Sequence, residues 1–285
     1  MIEIMMNGSF VPVTEAKISV LDHGFLFGDS IYEVIRTRNG QLWAASLHLK
    51  RLRYSAERVA MEIPWDDSLL IAELLRMVEK VPHPECSLRL MITRGVGSLS
   101  IDPGDCEHPV RVIFGQKLNR PPEALYRSGA SLWISNIYKA PKSHERGNPK
   151  TGNYLDNVLA LRGARQAGAH EALLLNQAGM VTEGTSSNIF WLKNRRLMTP
   201  SLGAGILKGL SRQLVLKLAE NLGIQVVQGL FTLETLLEAD EVFITSTSRE
   251  ILPVSSIGDT HFAIGPVTRE LMNRYCDVDV EAISF

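Results

Sequence analysis

Val181-Thr182-Glu183-Gly184-Thr185-Ser186-Ser187-Asn188 joins two runs that read as strands, residues 171–175 before it and 188–192 after it. An acid and a glycine at a strand end, followed by small polar residues, make poor packing material. Either the loop satisfies itself through its own side chains, or the carboxylate and hydroxyls face a ligand. A second cluster, Thr245-Ser246-Thr247-Ser248-Arg249-Glu250, ends the predicted strand 242–245 in the same way. Two hydroxyl-rich strand ends in one α/β region point to a polar crevice. Around them the apolar spacing predicts strands at 130–134 and 225–227 and helices at 154–167, 209–222 and 267–276.

Toward the N-terminus, short strands again alternate with helices. Asn7-Gly8 and Asn39-Gly40 are hairpin dipeptides, and residues 31–37 flank the second as a strand. Ser46 reads as the cap of a helix presenting Leu49, Leu52, Ala56 and Val59 on one face. Residues 67–80 read as a second amphipathic helix, and 87–93 and 110–116 as strands. The polar break Lys117-Leu118-Asn119-Arg120-Pro121-Pro122 reads as a domain boundary. The expected fold class is mixed α/β in two domains: a smaller N-terminal α/β domain over 1–117, a linker at 118–122, and a larger C-terminal domain over 123–285. Residues 138–152, rich in Pro, Gly and Lys, are too long for a simple connector, so a functional role is expected there.

Composition removes several function classes. A formal net charge of −1 leaves no basic excess for a nucleic-acid backbone, so any phosphate must be held by a local site. The three cysteines, Cys86, Cys106 and Cys276, lie far apart, and their odd number argues against a disulfide framework. The start MIEIMMNG has no basic run ahead of an apolar stretch, and no window approaches a membrane span. A cytoplasmic setting is the resulting expectation. There is no HExxH and the seven histidines do not cluster in sequence, so no metal is expected.

Three local features carry chemistry, each beside a bland alternative. Gly203-Ala204-Gly205-Ile206-Leu207-Lys208-Gly209 lacks the ending of a Walker loop, but it is a glycine-rich turn entering a helix. The N–H groups of Leu210 and Ser211 would stand at that start, where free donors and the helix dipole favour phosphate. An ordinary helix entry would look the same. His48-Leu49-Lys50-Arg51-Leu52 reads as a basic, solvated helix face, yet the planar guanidinium of Arg51 suits bidentate phosphate binding. Lys150 has no local distinction beyond the polar loop before it and the helix after it.

Taken in order, these pieces resemble the class IV (fold type IV) pyridoxal-phosphate enzymes: branched-chain aminotransferases, D-amino-acid aminotransferases, aminodeoxychorismate lyases and R-selective amine transaminases. The resemblance runs through Phe27-Gly28-Asp29-Ser30-Ile31-Tyr32-Glu33, then 48–52, 150–154, 181–188, 206–212 and 241–247. Each motif alone is weak; six in the right order cover nearly the whole chain. The resemblance implies a pyridoxal 5'-phosphate cofactor carried covalently by Lys150, which also moves the proton during catalysis. It implies that Glu183 pairs with the pyridine nitrogen and keeps the ring an electron sink. Arg51 resembles the phosphate-gripping arginine, and Leu210 and Ser211 the phosphate-binding helix start, with Thr247 adding a hydroxyl and an N–H. Leu207 resembles the apolar residue against the ring, and Tyr154 the tyrosine that reaches the cofactor's phenolic oxygen.

The motifs also suggest a member of the group. Glu33 after Tyr32 is similar to the transaminases, whereas the lyases carry a threonine. Lys150-Thr151-Gly152-Asn153-Tyr154 is similar to the branched-chain pattern, one residue shorter between Lys and Asn. Arg89 stands where branched-chain enzymes place a substrate arginine, but Ser87 replaces their tyrosine two residues earlier. After Arg94 there is no Arg-x-His pair of the D-amino-acid enzymes. Tyr32, Arg89, Thr247 and Ser248 are therefore the expected substrate residues. The expected activity moves an amino group from an L-branched-chain or hydrophobic amino acid to a 2-oxo acid such as 2-oxoglutarate. The lyase activity, which eliminates pyruvate, and then D-amino-acid transamination are the alternatives, and a non-catalytic phosphate-binding protein is the reading from outside enzymology. A homodimer is implied, with neither membrane nor nucleic acid as partner.

Overall fold

The computed structural model describes residues 2–139, 147–277 and 280. They form two compact units. The first is the chain up to Asn119 together with Pro149–Asn153; the second is the remainder. Residues 140–146 of the stretch expected to be functional lie outside the described residues.

The first unit contains β1 (Ile2–Met6), β2 (Ser9–Val11), α1 (His23–Phe27), β3 (Ser30–Arg38), β4 (Gln41–Trp43), α2 (Ala45–Arg58), α3 (Asp67–Lys80), β5 (Cys86–Thr93) and β6 (Val110–Lys117). Its sheet runs β2-β1-β6-β5-β3-β4, antiparallel throughout. Both Asn-Gly pairs make the expected tight turns. Asn7 and Gly8 have φ of 47° and 87°, and Asn39 and Gly40 have 52° and 73°; consecutive left-handed residues match the twist of a hairpin. Leu49, Leu52 and Ala56 of α2 pack with Leu70, Leu74 and Met77 of α3 over Ile31, Ile35, Leu88 and Leu90 of the sheet.

Ser46 is not the cap of α2. The helix begins at Ala45, its N-cap is Ala44 at φ 56°, and no side chain caps it. β4 ends at Trp43, so a single left-handed residue must make the whole turn from strand to helix. By contrast α3 has a conventional cap, with the Asp66 carboxylate accepting from Leu69 N at 2.8 Å.

The second unit contains α4 (Glu123–Ser128), β7 (Ala130–Lys139), α5 (Leu155–Gln166), β8 (Glu171–Asn176), β9 (Val181–Gly184), β10 (Asn188–Lys193), β11 (Arg196–Pro200), α6 (Leu210–Asn221), β12 (Val226–Gly229), α7 (Leu233–Leu237), β13 (Glu241–Ser246), β14 (Glu250–Ile257), β15 (Thr260–His261) and α8 (Pro266–Tyr275). Its sheet runs β12-β11-β10-β13-β14-β7-β8-β9, with β15 beside β14. Pairing is mixed: β11 with β12, β14 with β7, and β7 with β8 are parallel, and the rest antiparallel. β8 shows why it reads as an unbroken apolar run. Leu173 and Leu175 enter one core with Ile189, Trp191 and Ile244, while Ala172 and Leu174 enter another with Ala160 and Ala164 of α5. A strand covered on both faces has no polar alternation.

Candidate active site

In the first unit the site is built on β3 and α2. Tyr32 and Glu33 are neighbours on β3, so their side chains point to opposite faces. Glu33, fully buried, faces α2, where the three-residue spacing puts His48 and Arg51 on one side of the helix. Glu33 Oε2 accepts from His48 Nδ1 at 2.7 Å and from Arg51 Nη2 at 2.6 Å, and its Oε1 accepts from Arg51 Nε at 2.7 Å. Burial pushes the Glu33 carboxyl up, but the charge and hydrogen bonds of Arg51, helped by His48, outweigh it and hold the group at about 2. His48 is held below its usual value, chiefly by burial, with Glu33 opposing. It is therefore neutral near neutrality, and its Nε2 has no hydrogen-bond partner among the described residues.

Lys150 is placed by its backbone. β4 pairs only with Arg36–Arg38 of β3, which leaves the start of β3 open on that side. The returning segment 149–153 fills it. Tyr32 N donates to Lys150 O at 3.1 Å, Gly152 N donates to Ser30 O at 2.8 Å, and Ile31 and Thr151 form an antiparallel bridge. Lys150 N donates to Ser55 Oγ of α2 at 3.0 Å. A Cβ at Gly152 would lie 2.1 Å from Ser30 Oγ, so a larger residue there would force that side chain to move. Lys150 Nζ then donates to the Tyr32 hydroxyl at 3.2 Å and stands 4.3 Å from the Tyr32 ring centre. The Arg89 guanidinium carbon lies 5.0 Å from the same ring. The structure thus brings Lys150, Tyr32 and Arg89 together. It commits Nε and Nη2 of Arg51 to Glu33, leaving Nη1 as the nitrogen outside that pair.

In the second unit Glu183 is the hub. It sits on β9, buried, and its Oε2 accepts from Asn188 Nδ2 at 3.0 Å and Leu207 N at 2.9 Å. Lys139 at the end of β7 donates to Oε1. Lys139 escaped sequence reading because nothing local marks a lysine whose partner lies 44 residues away. Asn188 Nδ2 also donates to Leu207 O at 3.0 Å, and a Cβ at Gly209 would lie 2.0 Å from Asn188 Oδ1. The carboxylate is thereby joined to the turn that opens α6. That helix starts at Leu210 with Gly209 as N-cap and no side-chain cap. Ser211 is buried and receives a hydrogen bond from Tyr275. Arg212, also buried, donates to Pro200 O and Gln228 Oε1; burial lowers it to about 10 against the pull of Glu183, so it stays charged near neutrality.

The two hydroxyl-rich strand ends meet through an ion pair. Arg249 donates to Glu171 Oε2 at 2.5 Å, and Glu171 Oε1 accepts from Thr185 Oγ1 and from Ser186 N. Thr245 Oγ1 is buried with no hydrogen-bond partner among the described residues. Thr247 and Ser248 lie partly exposed in the turn between β13 and β14, and Tyr154 is the N-cap residue of α5.

Within each unit the residues suit part of a phosphorylated pyridine aldehyde. In the first, Lys150 offers an amine; in the second, Glu183 offers a buried carboxylate already receiving a cationic donor, and α6 an uncapped start next to a hydroxyl. One group of metal-capable donors assembles among the described residues, His23, Asp105 and Cys106, within 4.8 Å of one another. Gly97 stands among them: a Cβ there would lie 2.6 Å from Cys106 Sγ, 2.7 Å from His23 Nε2 and 3.0 Å from Asp105 Oδ1. Gly97 has no Cβ, so that space is not filled by a side chain; His23 Nε2 is already bonded to Ser98 O at 3.0 Å.

Comparison with known proteins adds to this geometry. Residues 30–257 match the model of amino-transferase class IV. A protein of Methanocaldococcus jannaschii, named provisionally as a branched-chain-amino-acid aminotransferase, is 38% identical over 97% of this chain and 96% of its own. The D-alanine aminotransferase of Bacillus licheniformis is 34% identical over 94% of each. The T.th. branched-chain amino acid aminotransferase, solved with pyridoxamine 5'-phosphate, superposes with a TM-score of 0.88 at 33% identity, covering 96% of this chain and 93% of that one. The 4-amino-4-deoxychorismate lyase of Pseudomonas aeruginosa superposes with a TM-score of 0.86 at 28% identity, covering 97% and 99%.

Proposed function

The chain belongs to the class IV aminotransferase family and is a pyridoxal-phosphate-dependent transferase of amino groups, and from that premise we propose that its donor is an L-branched-chain or related hydrophobic amino acid and its acceptor a 2-oxo acid such as 2-oxoglutarate. The observation that carries the proposal is the placement of Lys150, whose backbone is fixed by β3 and α2 and whose Nζ is aimed at the Tyr32 hydroxyl, with Arg89 at the same ring.

When bound, the cofactor supplies an electron sink for the carbon that loses its proton. The protein supplies the rest. Lys150 would hold the cofactor through Nζ, and its amine would take the proton from the donor Cα. Tyr32 orients that nitrogen through its hydroxyl. Glu183, held by Lys139, Asn188 and Leu207 N, would pair with the pyridine nitrogen and keep it protonated. The N–H groups of Leu210 and Ser211, the Ser211 hydroxyl and Thr247 would hold the phosphate, and Arg51 of the first unit is the phosphate arginine that the family resemblance implies. Leu207 would pack on the ring and Tyr154 would reach its phenolic oxygen. Arg89, with Tyr32, Thr247 and Ser248, receives the substrate carboxylate, for which a guanidinium is suited.

The test is the visible spectrum of the purified protein during separate additions of L-leucine, L-glutamate and D-alanine. Bleaching of the lysine-bound band by L-leucine, and its return with 2-oxoglutarate, is expected. The D-alanine aminotransferase relatives make D-donor activity the second reading, and bleaching by D-alanine alone would establish it. Conversion without any acceptor would establish the lyase reading. A homodimer is supported by the exposed apolar side chains Val20, Leu21, Phe25, Leu99 and Ile101 of the first unit; light scattering at micromolar concentration tests it. Cytoplasmic location is supported by three free cysteines, and no described helix is long and apolar enough to cross a membrane.

A further inference from the structure

We infer that Tyr275 is a positioning residue for the cofactor phosphate, acting through the hydroxyl of Ser211; the inference rests on the reading of α6 as the phosphate site. Tyr275 is the last residue of α8, and its hydroxyl donates to Ser211 Oγ at 2.9 Å in the interior of the second unit. Only 1% of Tyr275 and 3% of Ser211 is exposed, so water does not compete for this bond.

The consequence follows from counting protons. A serine hydroxyl has one proton and two lone pairs. Tyr275 occupies a lone pair and so leaves Ser211 to act as a donor. Within a helix a serine ordinarily returns its proton to the carbonyl four residues earlier. Here that carbonyl is Leu207 O, which already accepts from Gly209 N at 2.9 Å and from Asn188 Nδ2 at 3.0 Å. Both lone pairs of Leu207 O are used. The Ser211 proton is therefore turned away from its own helix turn, beside the uncapped first N–H groups of α6. A group that only accepts, such as the dianion of a phosphate monoester, completes this array. Donation by a phenol also polarises the Ser211 O–H and strengthens its own donation. Neither Tyr275 nor the α8 segment that carries it belongs to the motifs from which the phosphate residues were read.

The experiment compares binding of pyridoxal 5'-phosphate and of unphosphorylated pyridoxal to the full-length wild type, Tyr275→Phe, Ser211→Ala and the double variant. The phenyl ring keeps the packing of α8, and circular dichroism and thermal unfolding check the fold. Tyr275→Phe is expected to weaken the phosphorylated ligand by about five- to tenfold and to leave pyridoxal unchanged. It should also move the phosphorus resonance of the bound cofactor. The double variant should bind no more weakly than Ser211→Ala alone, because both changes remove one device. Equal loss for both ligands, or additive losses in the double variant, would overturn the inference. If Tyr275→Phe folds poorly, 3-fluorotyrosine at position 275 keeps the shape and strengthens the donor; tighter phosphate-dependent binding is then expected, and unchanged affinity refutes. A wild type that binds no pyridoxal 5'-phosphate would overturn the parent reading and this inference with it. Normal wild-type binding with an indifferent Tyr275→Phe overturns the inference alone.

Discussion

Replacing Glu33 with glutamine probes the buried group beneath Tyr32. The Glu33 carboxyl titrates at about 2 in the folded chain against an ordinary 4.5. A depressed acid contributes stability above its unfolded value and loses it as pH falls toward the folded value. The difference, 4.5 less about 2, corresponds to about 3 kcal/mol over the whole window at about 1.4 kcal/mol for each tenfold step in proton affinity. Roughly 2 kcal/mol of that is lost between about pH 5 and about pH 3, where urea denaturation is still practical. His48 acts in the same direction, because its depressed value means that protonation below about pH 6.5 favours the unfolded chain. At neutral pH the variant should be less stable by about 3 kcal/mol, since Arg51 and His48 keep their burial without a carboxylate. Below about pH 5 the wild-type stability should fall faster, and the two curves should converge by roughly 2 kcal/mol at about pH 3. Parallel curves across that range would refute the reasoning: Glu33 would then titrate alike in both states.

Lys150→Ala should abolish the visible band of the bound cofactor and lower turnover by about a thousandfold or more, read by spectrophotometry and a coupled transamination assay. Arg89→Met should raise the KM for the amino-acid donor by about tenfold or more, as expected for a lost charge-assisted contact, while the cofactor band persists. Gly209→Ala should lower stability by about 1–3 kcal/mol and weaken cofactor binding, because the new methyl must displace Asn188 Oδ1; calorimetry with and without cofactor separates the two effects.

The sequence reading succeeded where the determinants are local. The Asn-Gly turns, the apolar spacing of α3 and the glycine-rich entry to α6 are each written within a dozen residues. It failed where a neighbour decides. β14 was not foreseen, because Pro253 argues against a strand within a sheet. The structure admits it because β7 begins pairing with β14 only at Val254, so at Pro253 only β13 lies alongside. β11 was missed because its register is set by partners on either side, β10 and β12. The mixed α/β fold and the family were legible through ordered motifs. The Lys139–Glu183 pair and the Glu171–Arg249 pair were not, since an ion pair across tens of residues leaves no periodic trace.

The return of residues 149–153 to the edge of β3 makes the first unit discontinuous. Lys150 Nζ reaches a tyrosine hydroxyl 118 residues earlier in the chain, so the reactive amine is set by a late, long-range closure and not by its own neighbourhood. During synthesis, the hairpins and the three helices of the first unit have emerged and can pack before this edge can be filled. The ribosome therefore delivers the scaffold first and its reactive nitrogen afterwards. A fragment ending at Asn119 would keep β3 but leave Tyr32 N and Ser30 O without the partners that Lys150 O and Gly152 N provide. The nascent chain thus carries no assembled amine until the peptide that links the units has been made.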